Sequence, residues 1–317
     1  MTGGDRARPP RLRPGDRVAV VAPSGPVDPE RLAAGCAALR DLGLDVVVGK
    51  HAGARVTLAE REPVPPDWQG LAGADADRAA DLQQAWCDPG VQAVLCARGG
   101  YGATRVLDHL DWTVLAAACS AHGPKILHGS SDITALHVAF GRRLGVTTSF
   151  GPMVASLLAE REPASTEHAR AALFGPGEPV PGGHALVPGR AEGVLTGGNL
   201  SLLAVLAGTP YGAEPATGRI AFLEDVTEQP YRIDRMLVQL RQAGWFDGVA
   251  GIALGTWVDC GDPAELDAVF RARLAPLGVP ILAGLPVGHG PRQLTIELGA
   301  QVRLDAEREL RLTLTPP

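Results

Sequence analysis

Lys125-Ile126-Leu127-His128-Gly129-Ser130-Ser131-Asp132-Ile133-Thr134-Ala135-Leu136 opens as a short apolar run and breaks at a glycine and two serines. Apolar residues then return at Ile133, Leu136 and Phe140, a spacing that suits a helix. Strand, tight turn, helix is the physical reading. A serine on such a turn is held at the carboxyl end of the strand, where the next backbone N–H groups and the helix dipole favour a developing negative charge. That is what a nucleophilic serine requires. The G-x-S-x-G elbow pattern is not met, because Ile133 stands where its second glycine would be. The bland reading is an N-cap: Ser131 or Asp132 would satisfy the first amides of the helix.

Upstream, Arg17-Val18-Ala19-Val20-Val21-Ala22 reads as a strand that stops at the turn cluster Pro23-Ser24-Gly25-Pro26. Asp28 and Pro29 make an N-cap and N1 pair for a helix to about Leu42, and Asp45 to Val48 is the next strand. This βαβ start predicts a parallel sheet. Its glycines do not form G-x-G-x-x-G, so a dinucleotide fingerprint is missing. Residues 52–73, with Pro63, Pro65 and Pro66, read as a surface loop. A helix over 75–88 precedes a buried strand, Val91 to Ala97, which ends in Arg98-Gly99-Gly100-Tyr101-Gly102. Glycines so placed allow positive φ and close backbone approach to a bound group, or make nothing more than a tight turn.

Residues 151–188 are rich in Gly and Pro around one helix, about Ser165 to Phe174, and read as a linker. Beyond them, strands are predicted at Glu192–Thr196, Arg219–Leu223, Ile252–Trp257 and in four short runs from Pro280 to Leu314. Helices are predicted after Gly197-Gly198-Asn199, over Tyr231–Ala243 and over Pro263–Leu277. The domain expectation is a disordered tail at 1–14, an α/β domain at 15–150 carrying the serine, the linker, and a second domain at 189–317.

The chain has 317 residues, 45% apolar and 20% charged, ordinary for a soluble enzyme with a sizeable core. A net charge of −6 without a basic run argues against a nucleic-acid binder. No run is long enough to span a membrane, and the polar, Arg/Pro-rich start offers no signal-peptide core, so a cytoplasmic protein is expected. Five cysteines without C-x-x-C spacing suggest free thiols in a reducing compartment rather than disulfides or zinc, and H-E-x-x-H is absent.

A serine needs a base and a group to orient it. Two strand ends offer them: Leu223-Glu224-Asp225-Val226-Thr227-Glu228, and Gly288-His289-Gly290. Each has a bland reading, an ion pair for Glu224 and a surface position for His289, and other histidines compete, among them His128 and His137.

Taken in order, Arg98-Gly99-Gly100-Tyr101-Gly102, Gly129-Ser130-Ser131-Asp132, Leu223 to Glu228 and Gly288-His289 resemble the motifs of the LD-carboxypeptidases, the murein tetrapeptide carboxypeptidases with a Ser-Glu-His triad. The likeness extends to Val21-Ala22-Pro23-Ser24-Gly25, Gly197-Gly198-Asn199-Leu200 and Tyr231 to Leu237, nearly the whole chain from about residue 15. It implies an α/β fold with an N-terminal Rossmann-like, flavodoxin-like parallel-sheet domain and a smaller C-terminal β-rich α/β domain, with the site between them. It implies Ser131 as nucleophile, Glu224 as triad acid and His289 as base, with the backbone amides of Gly100 and Asp132 as the oxyanion hole. Arg98, Tyr101 and Arg232 are candidates to meet substrate; Arg98 could equally brace its glycine loop. The implied reaction removes the terminal D-alanine of a muropeptide tetrapeptide in peptidoglycan recycling, with no cofactor or metal, no nucleic-acid or membrane partner, in a homodimer. Two departures stand out: Ser130, where the family often has an aromatic residue or His, and the proline-rich 61–66 loop, which looks like an insertion. Two alternatives remain: a microcin C immunity-type serine peptidase acting on peptidyl or aminoacyl nucleotide analogues, and a non-catalytic α/β ligand-binding protein.

Overall fold

The computed structural model describes residues 6–56 and 70–315. In chain order its first half contains β1 (Arg17–Val21), α1 (Pro29–Asp41), β2 (Asp45–Val48), α2 (Asp75–Cys87), β3 (Val91–Cys96), α3 (Ala103–Val106), α4 (Trp112–His122), β4 (Ile126–Gly129), α5 (Thr134–Leu144) and β5 (Thr148–Phe150). Strands β2-β1-β3-β4-β5 lie side by side and parallel in that order, the flavodoxin-like arrangement, because each connection returns through a helix.

Alternation along the strands explains the two-sided core. Val21, Val94, Cys96 and Leu127 face Leu82, Trp86, Leu115 and Phe140 from α2, α4 and α5. Val18, Val20, Ala93 and Leu95 face Cys36, Leu39, Ala169 and Leu173 on the other side. With helices on both faces, these strands are apolar throughout rather than alternating with polar residues. Trp86 meets Phe140 edge-on at 4.8 Å, and burying each such ring contributes about 1.5–3 kcal/mol. Asp28 accepts the N–H groups of Glu30 and Arg31 and so caps α1, as its sequence pattern predicts.

The chain continues through α6 (Leu157–Glu160), α7 (Pro163–Phe174), β6 (Val180–Pro181), β7 (His184–Val187), β8 (Arg190–Asn199), α8 (Leu200–Leu206), β9 (Arg219–Val226), α9 (Pro230–Gln242), β10 (Gly251–Val258), α10 (Pro263–Leu274), β11 (Ile281–Ala283), β12 (Ile296–Leu298), β13 (Gln301–Asp305) and β14 (Arg311–Leu314). The second sheet has eight strands, ordered β6-β14-β13-β8-β9-β10-β11-β7. Its centre, β8 to β11, is parallel, and antiparallel strands flank it on both sides.

Three boundary expectations need correction. The segment 151–188 is not an extended linker: Val154, Leu158, Ala169 and Leu173 pack on the first domain, while β6 and β7 form the two edges of the second sheet. Its prolines and glycines start and stop short elements, as Pro163 does at the first turn of α7. The supposed tail is ordered from residue 6: Ala7 bridges Val146, Leu12 is buried with its N–H on the Leu173 carbonyl, and Arg8 and Arg11 pair with the carboxylate of Glu297. The second domain is also not self-contained, since β12 crosses over and pairs antiparallel with β5, Ile296 opposite Phe150. Of the 52–73 loop, residues 57–69, and with them the 61–66 insertion, lie outside the described residues; its ends meet where Val56 pairs with Leu71.

Candidate active site

Strand β4 delivers the serine. After Gly129 the chain extends through Ser130 and then turns sharply at Ser131, whose φ of 61° is left-handed, a conformation that L side chains rarely adopt. The turn tightens into a single 3-10 turn, Ser131–Ile133, before α5 begins. Neither serine nor aspartate caps this helix. Ser131 Oγ donates to His289 Nε2 at 2.9 Å, and Asp132 Oδ2 accepts from Ser24 Oγ at 2.6 Å and from the Ala103 N–H at 2.8 Å.

His289 stands on the loop after β11. Its backbone N–H donates to Thr256 Oγ1 on β10 at 2.9 Å, and its Nδ1–H donates to Glu224 Oε2 at 2.7 Å. Gly288 must be glycine: its φ is 129°, and a Cβ there would lie 2.4 Å from Thr256 Oγ1 and 2.6 Å from Glu224 Oε2. Glu224 is wholly buried, within β9 rather than beyond it, because that strand runs to Val226. Ser131 and His289 remain partly open to solvent.

Asn199 joins the two domains. Its N–H donates to Thr134 Oγ1 at the start of α5 (2.9 Å), while its side-chain amide reaches Asp225 Oδ1 at 2.9 Å and Glu224 Oε1 at 3.3 Å. Asp225 also accepts from the N–H (2.9 Å) and hydroxyl (2.6 Å) of Ser201. Burial raises the Glu224 carboxyl above its ordinary value, against the hydrogen bond and charge of His289. Burial pushes the His289 imidazole down, but the hydrogen bond and charge of Glu224, with the charge of Asp225, outweigh it and leave the ring raised.

The competing histidines have other work. His128, fully buried, bonds Ser149 Oγ and the Pro152 carbonyl, and His137 bonds the Gly129 carbonyl; burial pushes each down to about 4, so both are neutral. Of the remaining candidates, Gly100 lies exposed on the glycine loop with φ 106°, and Tyr101 beside it is 46% exposed. Arg98 is half-buried and donates to the Pro26 carbonyl at 2.9 Å, which makes it a brace between two loops. Arg232, on the exposed start of α9, pairs with Glu228 at 3.7 Å and donates to Tyr231 Oη at 3.2 Å. Thr256 reads in the sequence as an ordinary strand residue, and Ser24, though within a stretch that shares the family likeness, reads only as a turn residue. Among the described residues, no group of three or more His, Cys, Asp or Glu is placed to hold a metal ion.

A serine on a strained strand-to-helix turn, against an imidazole backed by a buried carboxylate, is the arrangement of a serine hydrolase. Residues 18–151 match the LD-carboxypeptidase N-terminal domain and residues 192–304 the LD-carboxypeptidase C-terminal domain. A putative carboxypeptidase of Streptomyces coelicolor is 50% identical over 314 residues, 98% of this chain and 96% of that protein. The murein tetrapeptide carboxypeptidase of Pseudomonas aeruginosa is 35% identical, covering 92% of this chain and 94% of that one. Among solved structures, the muramoyltetrapeptide carboxypeptidase of Oxalobacter formigenes superposes with a TM-score of 0.78 at 28% identity, over 93% of this chain and 97% of that one. An MccF-like protein of Bacillus anthracis gives 0.82 at 25%, over 98% and 99%. The chain belongs to the LD-carboxypeptidase family, and it is a serine carboxypeptidase.

Proposed function

We propose that this chain removes the terminal D-alanine from muropeptide tetrapeptides, with Ser131 as nucleophile, His289 as general base and Glu224 as the acid that orients it. The observation that carries the reading is the hydrogen-bonded line from Ser131 Oγ through both His289 nitrogens to Glu224, in a chain homologous along its length to a murein tetrapeptide carboxypeptidase. His289 Nε2 takes the hydroxyl proton as Oγ attacks the amide carbonyl, and Glu224 stabilises the imidazolium. The proton passes to the departing D-alanine nitrogen, and water then releases the acyl group by the reverse transfers. The N–H groups of Gly100 and Asp132 hold the oxyanion, where one donor is worth about 2.7–4 kcal/mol in comparable enzymes.

Substrate contact by Arg98, Tyr101 and Arg232 belongs to the same proposal. Tyr101 is supported by its exposure beside Gly100, and Arg232 by a solvent-facing guanidinium held only loosely by Glu228. Arg98 already commits one donor to Pro26. A cytoplasmic homodimer completes the reading; five free thiols suit a reducing compartment, and light scattering tests the dimer. The microcin-immunity alternative draws on the MccF-like fold, whereas the murein reading draws on identity at 35% over nearly the whole chain. The deciding assay is release of free D-alanine from a murein tetrapeptide, with a processed microcin analogue alongside. Release from the tetrapeptide that vanishes in Ser131→Ala supports the proposal. Turnover of the analogue alone, or of neither, overturns it.

A further inference from the structure

The loops that follow β1, β3 and β4 converge at the carboxyl edge of the first sheet, where the strand order reverses between β1 and β3. Two buried charged side chains tie them together. Asp132 Oδ2 accepts hydrogen bonds from the Ser24 hydroxyl, in the first loop, and from the Ala103 N–H, at the end of the second. The Arg78 guanidinium, with its side chain fully buried, donates to the Pro23 carbonyl of the first loop and, at 2.9 Å, to the Gly102 carbonyl of the second. The Gly25 N–H closes the ring on the Gly99 carbonyl at 3.0 Å. The fit is tight, since a Cβ on Gly25 would stand 3.0 Å from that carbonyl oxygen and one on Gly99 would stand 3.1 Å from Ser131 Cβ.

Ser24, Asp132 and Arg78 make their hydrogen bonds to other groups than Ser131 Oγ and His289. They do fix the two backbone segments that bear the N–H groups of Gly100 and Asp132. We propose that the Asp132 carboxylate and the Ser24 hydroxyl are positioning residues that set the spacing of the oxyanion-binding amides. This inference rests on the assignment of those amides made above. Ser24 is wholly buried and Asp132 nearly so, so bulk water does not compete for the 2.6 Å bond. Loss of the bond removes the direct tie between the β1 loop and the nucleophile turn, and leaves the two amide-bearing segments joined through the Ala103 N–H, Arg78 and the Gly25–Gly99 contact. Oxyanion donors act only if they are already aimed at the position the charged oxygen will occupy, and a displacement on the order of 1 Å costs about 10²-fold in rate.

The test compares Ser24→Ala, Asp132→Asn and Asp132→Ala in the full chain. It measures tetrapeptide kcat and KM, their pH profiles, and the rate at which a fluorophosphonate modifies Ser131. In that modification the Oγ–P bond forms, the P–F bond breaks, fluoride leaves and His289 takes the proton, through the same oxyanion geometry. We expect Ser24→Ala to lower kcat and the phosphonylation rate together by about 10-fold or more, toward the 10²-fold misplacement cost. KM should stay within about twofold and the pH profile should not move, because amide geometry acts on the transition state and not on substrate binding or His289. Asp132→Asn keeps an acceptor for Ala103 and a polar partner for Ser24, so it should retain most of the rate that Asp132→Ala loses. Unchanged phosphonylation in Ser24→Ala, or a lower kcat accompanied by a shifted pH profile, overturns the inference; Ser24→Ala decides the matter even where Asp132→Ala fails to fold. Phosphonylation of the unaltered chain reports separately on Ser131 as nucleophile, so failure of the broader proposal is distinguishable.

Discussion

Glu224, wholly buried, accepts the Nδ1–H of His289 across 2.7 Å, and this contact decides in which protonation state the imidazole meets Ser131. In the proposed mechanism His289 must be neutral to accept the serine proton. Burial pushes the His289 ring down, while the bond and charge of Glu224, aided by Asp225, leave it raised above 6.5. For a base with a raised value, activity is lost as pH falls through that value. The acidic limb of kcat/KM should therefore lie above the ordinary imidazole value of about 6.5. Glu224→Gln removes the charge and keeps the burial, so its limb should move to lower pH while kcat falls by about 10⁴-fold. A limb that stays in place would assign the titration to another group.

In the proposed mechanism Ser131 and His289, joined by a 2.9 Å bond, share one proton-transfer step, so removing either leaves the other nothing to do. Ser131→Ala and His289→Ala should each lower kcat by about 10⁶-fold, and the double variant should be no slower than the worse single one. Losses that multiply would mean that the two side chains act independently. Single-turnover D-alanine release, with thermal unfolding as a control for the fold, measures this.

Gly288→Ala tests whether the loop holding the base tolerates any side chain. The new Cβ would fall within 2.6 Å of both Thr256 Oγ1 and Glu224 Oε2, and φ 129° is itself a conformation that alanine resists. The loop must shift, carrying His289 away from Ser131 by a fraction of an ångström to an ångström. We expect kcat to fall about 10²-fold, with KM less affected. Wild-type turnover in this variant would show that the geometry at 288 is not limiting.

Local chemistry made much of this legible in the sequence. Asp28 with Pro29 starts α1 where capping predicts, and the apolar run at Val91 encodes a strand covered on both faces. The Ser131 turn is legible as well, because a glycine and polar residues cannot extend an apolar strand. What local rules miss is set by partners distant in the chain. Ile296 and Leu298 look like strand residues of the second domain, yet β12 joins the first sheet because Phe150 and β5 offer an open edge there. The glycines and prolines of 151–188 suggest a linker, and it is the apolar residues between them, Val154, Leu158, Ala169 and Leu173 in the core that holds Leu39 and Val180 in the core that holds Leu282, that make the segment packed structure. Glu224, His289 and Ser131 carry individually weak signals; their order along the chain marks them as candidates, and the structure brings the three within hydrogen-bond reach. Ser24 and Thr256 hold the site through single hydroxyls, for which sequence periodicity has no signature.

Asn199 carries a stability prediction that separates holding from chemistry. Its side-chain amide is the shared donor for two adjacent buried carboxylates, its Oδ1 caps α8 through the Leu202 N–H, and its own N–H crosses to Thr134 in the other domain. Asn199→Ala keeps the backbone bond but takes from Glu224 Oε1 its side-chain donor, at about 1–3 kcal/mol for an unsatisfied buried group, while Asp225 Oδ1 keeps the Val226 N–H; it also removes a cap worth about 1 kcal/mol. Asn199→Asp keeps a capping oxygen but brings a third carboxylate against Glu224 and Asp225, so it should destabilise more than alanine at neutral pH. Its deficit should shrink as the pH is lowered and one member of the cluster takes a proton. Urea unfolding at two pH values reads both effects. If aspartate proved as stable as alanine at neutral pH, the carboxylates at 224 and 225 would not meet the side chain at 199 in the way described.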